Sequence, residues 1–170
     1  MPAPLLLKDD RLYHFDAGPV LPAWIDWNGH MNVAYYVLAF DQAVDAEFDA
    51  MGLDAETREG TGHTMFAAEM HITWKRELSE GDPIAVTWQI LEFDEKRLHS
   101  FFRMYHGREG FLASTSEWMQ LSVDLNARRT VPWQPKVLAR LKALYEPQHG
   151  LPRPAEVGRV MTVPARAPAG

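Results

Sequence analysis

Apolar residues recur at helical spacing over one stretch of the chain, from about 32 to 51. Twenty residues at 1.5 Å rise give a rod of about 30 Å, long enough to cross a sheet, and Gly52 is a favourable stop. Asp41, Asp45 and Asp49 follow one another at four-residue spacing, and we expect them to form the solvated side. The pattern predicts one long amphipathic helix whose apolar stripe contains Val33, Val37, Phe40, Val44, Phe48 and Met51.

Alternating apolar and polar residues, separated by turn residues, predict strands over about 12–20, 63–76, 84–90, 96–106 and 111–124. The last four follow one another, and turns at 80–83 and 107–110 predict an antiparallel meander. Gly60-Thr61-Gly62 is predicted to be a loop, and the apolar spacing after Pro135 predicts a short second helix. A strand, a long helix and then an antiparallel sheet, five or six strands in all, indicate an α+β fold.

Composition narrows the classes of function. Of 170 residues, 46% are hydrophobic and 24% charged, which is typical of one globular domain. We expect that domain over 1–146, followed by a Pro/Ala-rich arm or tail over 147–170. The absence of cysteine excludes disulfides, thiolate metal sites and a cysteine nucleophile, and it suits a cytoplasmic location. The net charge is −6 without a basic stripe, so no nucleic acid partner is expected.

Two further compositional features matter. No histidine pair has metal-ligand spacing, so no metal is expected. No apolar run is long enough for a signal peptide or a membrane span, so no membrane partner is expected. The chain also carries six tryptophans, each of which packs well in a core. Trp88 alternates within a predicted strand and is expected in the core, whereas the pattern leaves Trp118 and Trp133 undecided.

The densest polar segment lies immediately before the predicted long helix, in the run Trp24-Ile-Asp-Trp-Asn-Gly-His-Met-Asn32. The first turn of a helix offers unpaired backbone N–H groups and the positive end of the helix dipole, which together stabilise a developing oxyanion. Gly29 allows close backbone approach, and Asp26 beside that positive end is suited to activate water or to attack directly. The alternative is a capping loop, with Asn28 or Asn32 as the N-cap and Asp26 closing a turn.

The segment resembles the D-x-x-G-H-x-N-x-x-x-Y motif of the hotdog-fold acyl-CoA thioesterases, from Asp26 to Tyr36. The resemblance covers about residues 12–145. It implies a long central helix wrapped by a curved antiparallel sheet, with a short C-terminal helix. It also implies hydrolysis of an acyl-CoA to free acid and CoA, with no cofactor because CoA is part of the substrate. In the branch similar to 4-hydroxybenzoyl-CoA thioesterase, an aspartate of this loop is the catalytic carboxylate, which Asp26 matches.

The resemblance also implies roles for neighbouring residues. Plant acyl-carrier-protein thioesterases have a D-x-N-x-H motif and a downstream glutamate, which makes Glu77 a second carboxylate candidate; the alternative for Glu77 is a charged strand end. The carbonyl would be polarised by backbone N–H groups near Gly29, His30 and Met31. The expected catalytic residues are Asp26, Asn28, His30 and Glu77, and the expected substrate-binding residues are Trp27, Asn32, Tyr35, Tyr36 and Trp74.

Acidic residues on the helix and the many indoles suggest a cationic acyl group, since aromatic faces hold quaternary ammonium ions. A hotdog branch acting on betainyl-CoA in carnitine breakdown looks similar, and its E-L-x-x-G-D-P turn resembles the segment 77–83. Short-chain or aromatic acyl-CoA are the competing substrates.

An enoyl-thioester hydratase of the same fold and a non-catalytic acyl-CoA-binding protein are the alternative functions. A sheet with exposed edges favours self-association, and we expect a homodimer or homotetramer.

Overall fold

The computed structural model describes residues 4–163. Within these residues there are three α-helices, α1 (Val33–Met51), α2 (Ala55–Thr61) and α3 (Pro135–Tyr145). The strands are β1 (Leu6–Leu7), β2 (Tyr13–Pro19), β3 (His63–Trp74), β4 (Pro83–Phe93), β5 (Arg97–His106), β6 (Leu112–Asp124) and β7 (Arg129–Thr130). The predicted α+β architecture of a long helix, an antiparallel sheet and a short C-terminal helix is confirmed. The predicted strand count omitted two-residue strands such as β1 and β7.

The strands form one antiparallel sheet in the order β1-β2-β4-β5-β6-β3, with β7 paired to β6. The predicted meander of four strands is therefore wrong at β3, which pairs along its whole length with β6 and not with β4. Of the four predicted strands, only β4, β5 and β6 pair in sequence order. Alternation along a strand reports which face is buried, but it contains no information about a partner far away in sequence. As a result β3 is an edge strand, with one side free of strand partners in the described chain.

Helix α1 begins and ends where the sequence predicts. The Asn32 side chain accepts a hydrogen bond from the Ala34 N–H at 3.0 Å, and Gly52 ends the helix at φ +77°. The predicted stripe is shifted, because Val33 at its start is exposed whereas Glu47 is buried against the sheet. The helix buries mainly its small and aromatic residues, and the acidic row is exposed as expected.

The core lies between α1 and the inner face of β4, β5 and β6. Phe40 of the helix contacts Phe102 edge-on, with ring centroids 6.3 Å apart, and Phe102 stacks on Trp88. Trp88 is therefore a core residue, as predicted, and Trp118 and Trp133 are buried as well. Burial of such large rings supplies much of the hydrophobic stabilisation of the domain.

The predicted loop at Gly60-Thr61-Gly62 is wrong, because Gly60 and Thr61 belong to α2. Asp54 caps this helix by accepting from the Thr57 N–H at 2.8 Å, and Gly62 ends it at φ +70°. Seven mostly polar residues give no apolar stripe, so periodicity could not reveal the helix.

The segment after α3 runs back along the sheet. The Gln148 side chain accepts from the Ile90 N–H at 2.7 Å and donates to the Trp88 carbonyl at 2.9 Å, so its amide pairs with β4 as a strand residue would. Further on, the Gly158 N–H donates to Glu117 at 2.8 Å. Residues 164–170 of the predicted arm lie outside the described residues. Within 4–163, no helix is both long and apolar enough to cross a membrane.

Candidate active site

The motif forms a tight turn immediately before α1. Ile25 and Met31 face each other as an isolated antiparallel bridge, and the Asp26 N–H donates to the His30 carbonyl at 3.1 Å. The Gly29 N–H donates back to the Asp26 carbonyl at 3.0 Å. Gly29 has φ +85°, a conformation that residues with a Cβ rarely adopt, which explains a glycine at this position. The turn therefore fixes Asp26 beside the first residues of the helix.

The two carboxylate oxygens of Asp26 have different surroundings. Its Oδ1 accepts from the Asn28 N–H at 2.8 Å, which closes the turn. Its Oδ2 lies 3.5 Å from the Asn32 Nδ2, while the Asn32 Oδ1 caps α1. One asparagine thus caps the helix and also contacts the carboxylate, so the capping interpretation and the chemical one apply to the same turn. Asp26 is half-buried, and its Oδ2 has the weaker of the two contacts.

The backbone N–H groups of the turn are partly occupied. Gly29 donates within the turn, and the Met31 N–H donates to the Leu78 carbonyl at 2.8 Å. Within the described chain, the N–H groups of His30 and Val33 have no acceptor. Val33 is the first residue of α1, where the helix dipole places partial positive charge. Sequence reasoning missed Val33, although the residue after an N-cap has no acceptor for its N–H within the helix.

Glu77 approaches the turn from the segment after β3. Its Oε2 lies 3.8 Å from the His30 Nε2, and 70% of its side chain is exposed. The neighbouring Leu78 ties this segment down, because its N–H donates to the Tyr36 hydroxyl at 3.0 Å and its carbonyl accepts from Met31. Burial raises the pKa of Tyr36, so this phenol stays neutral. The structure therefore brings Glu77 close to His30, in the same turn that holds Asp26.

The aromatic residues expected to bind substrate have separate environments. Tyr35 stacks on Trp24 with ring centroids 5.4 Å apart, and Tyr36 is buried. Trp27 is 93% exposed at the tip of the turn, and Trp74 is half-exposed at the end of β3. In a single chain, only Trp27 and Trp74 of this set present broad ring surface to a ligand. No group of three metal-ligating side chains occurs among residues 4–163.

The arrangement suits a reaction in which negative charge develops on an oxygen. A carboxylate with one weakly held oxygen lies beside two free N–H groups at the positive end of a helix. Donors fixed in this way stabilise an oxyanion without reorganisation. Acyl transfer to water is the reaction that uses both a base and an oxyanion site.

Comparisons with known proteins agree with this chemistry. A family model described as the thioesterase-like superfamily matches residues 20–141. The betainyl-CoA thioesterase of Pseudomonas aeruginosa is 42% identical over 146 residues, which cover 86% of this chain and 92% of that protein. The L-carnitine dehydrogenase/betainyl-CoA thioesterase of Rhizobium meliloti is 36% identical over 137 residues, or 81% of this chain, but the match spans only 27% of that longer protein.

Solved structures are also similar. A hypothetical protein from Staphylococcus aureus in complex with CoA has a TM-score of 0.85 and 31% identity, covering 94% of this chain and 98% of that one. A putative thioesterase from Pseudomonas putida has a TM-score of 0.76 and 35% identity, covering 97% and 99%. The chain therefore belongs to the thioesterase-like superfamily.

Proposed function

We propose that this chain is an acyl-CoA thioesterase that hydrolyses betainyl-CoA to glycine betaine and CoA. The observation that carries the chemistry is the Asp26 carboxylate beside the free N–H groups of His30 and Val33 at the start of α1. The choice of acyl group is supported by the 42% identity to the betainyl-CoA thioesterase of Pseudomonas aeruginosa.

In the proposed mechanism the thioester carbonyl oxygen accepts hydrogen bonds from the N–H groups of His30 and Val33. As water or Asp26 attacks the carbonyl carbon, its π electrons move to that oxygen, and each donor lost there would cost about 3–4 kcal/mol of barrier. With Asp26 as base, its Oδ2 takes the proton of the attacking water. The C–S bond then breaks, and the proton passes to the CoA sulfur.

The remaining site residues position the groups that react. Asn28 and Asn32 hold the two oxygens of Asp26, and His30 with Glu77 borders the attacking side. Trp27 and Trp74 supply exposed indole surface for the substrate. No cofactor takes part, because CoA enters and leaves as part of the substrate.

We also propose that the active form is at least a homodimer, formed through the free edge of β3. This edge strand has 12 residues and exposes Phe66, Met70 and Trp74, which is unfavourable for an edge left in water. Pairing of two such edges would be antiparallel and symmetric. A tetramer would require a second surface. The cytoplasm, where CoA thioesters are available, is the proposed location.

The test is thiol release from betainyl-, acetyl-, 4-hydroxybenzoyl- and long-chain acyl-CoA. We expect the highest kcat/KM for betainyl-CoA. Asp26→Asn should lower kcat by about 10²–10⁴-fold, the usual range for loss of a general base. Asp49→Asn, which removes an exposed carboxylate from α1, is the control and should leave the rate unchanged. Near-normal turnover by Asp26→Asn would reject the assignment, and equal rates on neutral acyl groups would reject the substrate.

A further inference from the structure

A second feature lies more than two helical turns along α1 from the proposed site. A cavity of about 330 Å³ opens between α1, β3 and β6, and its walls include Asp41, Phe48, Phe66, Trp118 and Gln120. The volume is in the range of small-ligand pockets. The mechanism above uses none of these residues, so the cavity needs a separate explanation.

The cavity is lined by electron-rich groups. Asp41 contributes a carboxylate, and Phe48, Phe66 and Trp118 contribute aromatic rings, whereas the lining contains no Lys, Arg or His. Asp41 forms no ion pair with the described residues. Its pKa is raised by partial burial and then by Asp45, so the surrounding protein makes its negative charge unfavourable. A cation bound here would relieve that effect.

Two buried polar atoms in the same walls also lack partners. The Trp118 Nε1 and the Gln120 Oε1 have no hydrogen-bond partner in the described chain, although the two residues are only 5% and 1% exposed. A quaternary ammonium group has no hydrogen-bonding atom and would satisfy neither of them, so the assignment of the cavity rests on its carboxylate and its aromatic rings.

These observations match a quaternary ammonium group. Such a cation has no N–H to donate, so it is recognised by a carboxylate together with aromatic faces, of which indole is the strongest. The Arg58 guanidinium carbon lies over the Phe48 ring, 5.3 Å from its centroid, so one of the lining rings already has a cation partner. Trp118 and Phe66 carry no such partner in the described chain.

The distance along the helix limits how a substrate reaches the cavity. Asp41 lies eight residues after Val33, about 12 Å along α1. In a betainyl group, only two bonds of about 1.5 Å separate the carbonyl carbon from the nitrogen. A thioester held by the Val33 N–H thus cannot place its nitrogen at Asp41 of the same chain. However, β3 forms one wall of the cavity and is the free edge of the sheet, so a second copy paired there would adjoin the cavity.

Resting on the function proposed above, we propose that Asp41, Trp118 and Phe66 of one copy bind the trimethylammonium head of the acyl group whose thioester is held by the turn of a second copy. Each complete site then takes its carboxylate base from one chain and its cation-binding residues from the other. The selectivity for a cationic acyl group lies in the cavity and not in the motif turn.

The first test compares betainyl-CoA with 3,3-dimethylbutyryl-CoA, in which a carbon replaces the charged nitrogen without changing the shape. Asp41→Asn should raise KM for betainyl-CoA by about 10- to 100-fold, as expected for a partly desolvated charge pair, and change KM for the neutral analogue less than about 3-fold. Asp45→Asn removes the same charge from the next turn of α1 and is the matched control; because Asp45 does not line the cavity, both KM values should change less than about 3-fold. Trp118→Phe, which keeps an aromatic ring, should raise KM for betainyl-CoA alone.

The outcomes separate the two proposals. If the wild-type chain does not prefer betainyl-CoA over its neutral analogue, the proposed substrate is wrong and the cavity has no cation to bind. If the preference exists but survives Asp41→Asn, or falls equally in Asp45→Asn, the inference about the cavity is wrong and the proposed function stands. Thermal unfolding of each variant checks that it folds. Asp41 is exposed in the single chain, so we expect the fold to tolerate its replacement.

The second test asks whether the site is shared between copies. Asp26→Asn and Asp41→Asn chains with different tags are coexpressed, and the species carrying both tags is purified. If the site is shared, this species has one site with both native residues, and its kcat/KM for betainyl-CoA exceeds the mean of the two parent variants. A kcat/KM equal to that mean, or failure to form a doubly tagged species, would overturn the shared site.

Discussion

Glu47 is a carboxyl group with no access to water, and its titration should be visible in the stability of the protein. It lies on α1 against the sheet, where its Oε1 accepts from the Ser100 hydroxyl at 3.1 Å and its Oε2 faces the Gln120 Nε2 at 2.9 Å. Burial raises the pKa of Glu47 to about 8, against the smaller lowering effect of these two hydrogen bonds. Near neutral pH the folded chain therefore holds this group protonated.

The neutral carboxyl requires an acceptor for its proton. The Gln120 Oε1 is buried without a partner, so rotation of the Gln120 amide by half a turn would bring that oxygen to the Glu47 O–H. The two side chains would then form a hydrogen bond that suits the protonated state. Replacement Glu47→Gln keeps the shape and offers an N–H in the same direction, while it removes the titration.

The magnitude follows from the two pKa values. In the unfolded chain Glu47 ionises near 4.5, whereas in the folded chain it ionises near 8. Its contribution to stability is complete below pH 4.5 and is lost as the pH rises through 8, by about 1.4 kcal/mol per pH unit. The loss reaches about 3 kcal/mol at pH 7 and about 5 kcal/mol above pH 8. In Glu47→Gln this loss is absent, so the variant should gain on the wild type as the pH rises.

Urea unfolding from about pH 5.5 to pH 8.5, followed by tryptophan fluorescence at one fixed protein concentration, measures the effect. The free energy of unfolding of the variant minus that of the wild type should increase by about 3 kcal/mol across this range. A difference in packing between the variant and the wild type adds the same amount to this free-energy difference at every pH, so it leaves the pH dependence unchanged. Glu59→Gln on the exposed surface of α2 is the control. Parallel curves for wild type and Glu47→Gln would refute the protonated carboxyl.

Three further substitutions test the fold around the site. Gln148→Ala leaves one N–H and one carbonyl of β4 unpaired. In urea titrations it should lower the free energy of unfolding by about 2–4 kcal/mol. A loss under about 1 kcal/mol would contradict the strand-like pairing. Gly62→Ala places a Cβ against the Asn126 Nδ2 at φ +70°, and should cost about 1–3 kcal/mol. Adding Asn126→Ala should recover only the steric part of that cost; full recovery would exclude backbone strain. Tyr36→Phe leaves the buried Leu78 N–H without its acceptor. It should lower the free energy of unfolding by about 1–3 kcal/mol and also lower kcat. An unchanged melting temperature would argue against this contact.

Local sequence signals predicted much of this fold. Asn32 and Gly52 marked both ends of α1 correctly, because caps act through their own backbone and side chain. The four long strands after the helix were also predicted, since each alternates over many residues. The order of the strands was not predictable, because β3 pairs with a strand about 50 residues away and no local pattern records that choice.

The candidate site was also predicted only in part, since residues within one turn were predicted and tertiary contacts were not. Asp26, Asn28 and Asn32 belong to one continuous turn, so their proximity follows from sequence spacing alone. Glu77 reaches His30 only because Tyr36 and Met31 hold the intervening chain, which is a tertiary effect. Glu47 was missed because a charged residue within an acidic helix is normally solvated. Only the packed structure shows that it faces the sheet.

The two edges of the sheet differ in a way that bears on how many copies can join. On the β2 side, β1 covers only two residues, and the rest of β2 contains a bulge between Asp16 and Gly18 and ends at Pro19. The Gln148 amide occupies the edge of β4 beyond the first residue of β2, Tyr13. Such an edge is a poor template for another strand. The β3 edge has 12 residues and no proline, and its one register shift, between Ala67 and Glu69, leaves paired stretches on both sides, so two copies can join β3 to β3 by a twofold axis. Each copy then has no good edge left, and growth by strand pairing stops at two instead of continuing into a filament.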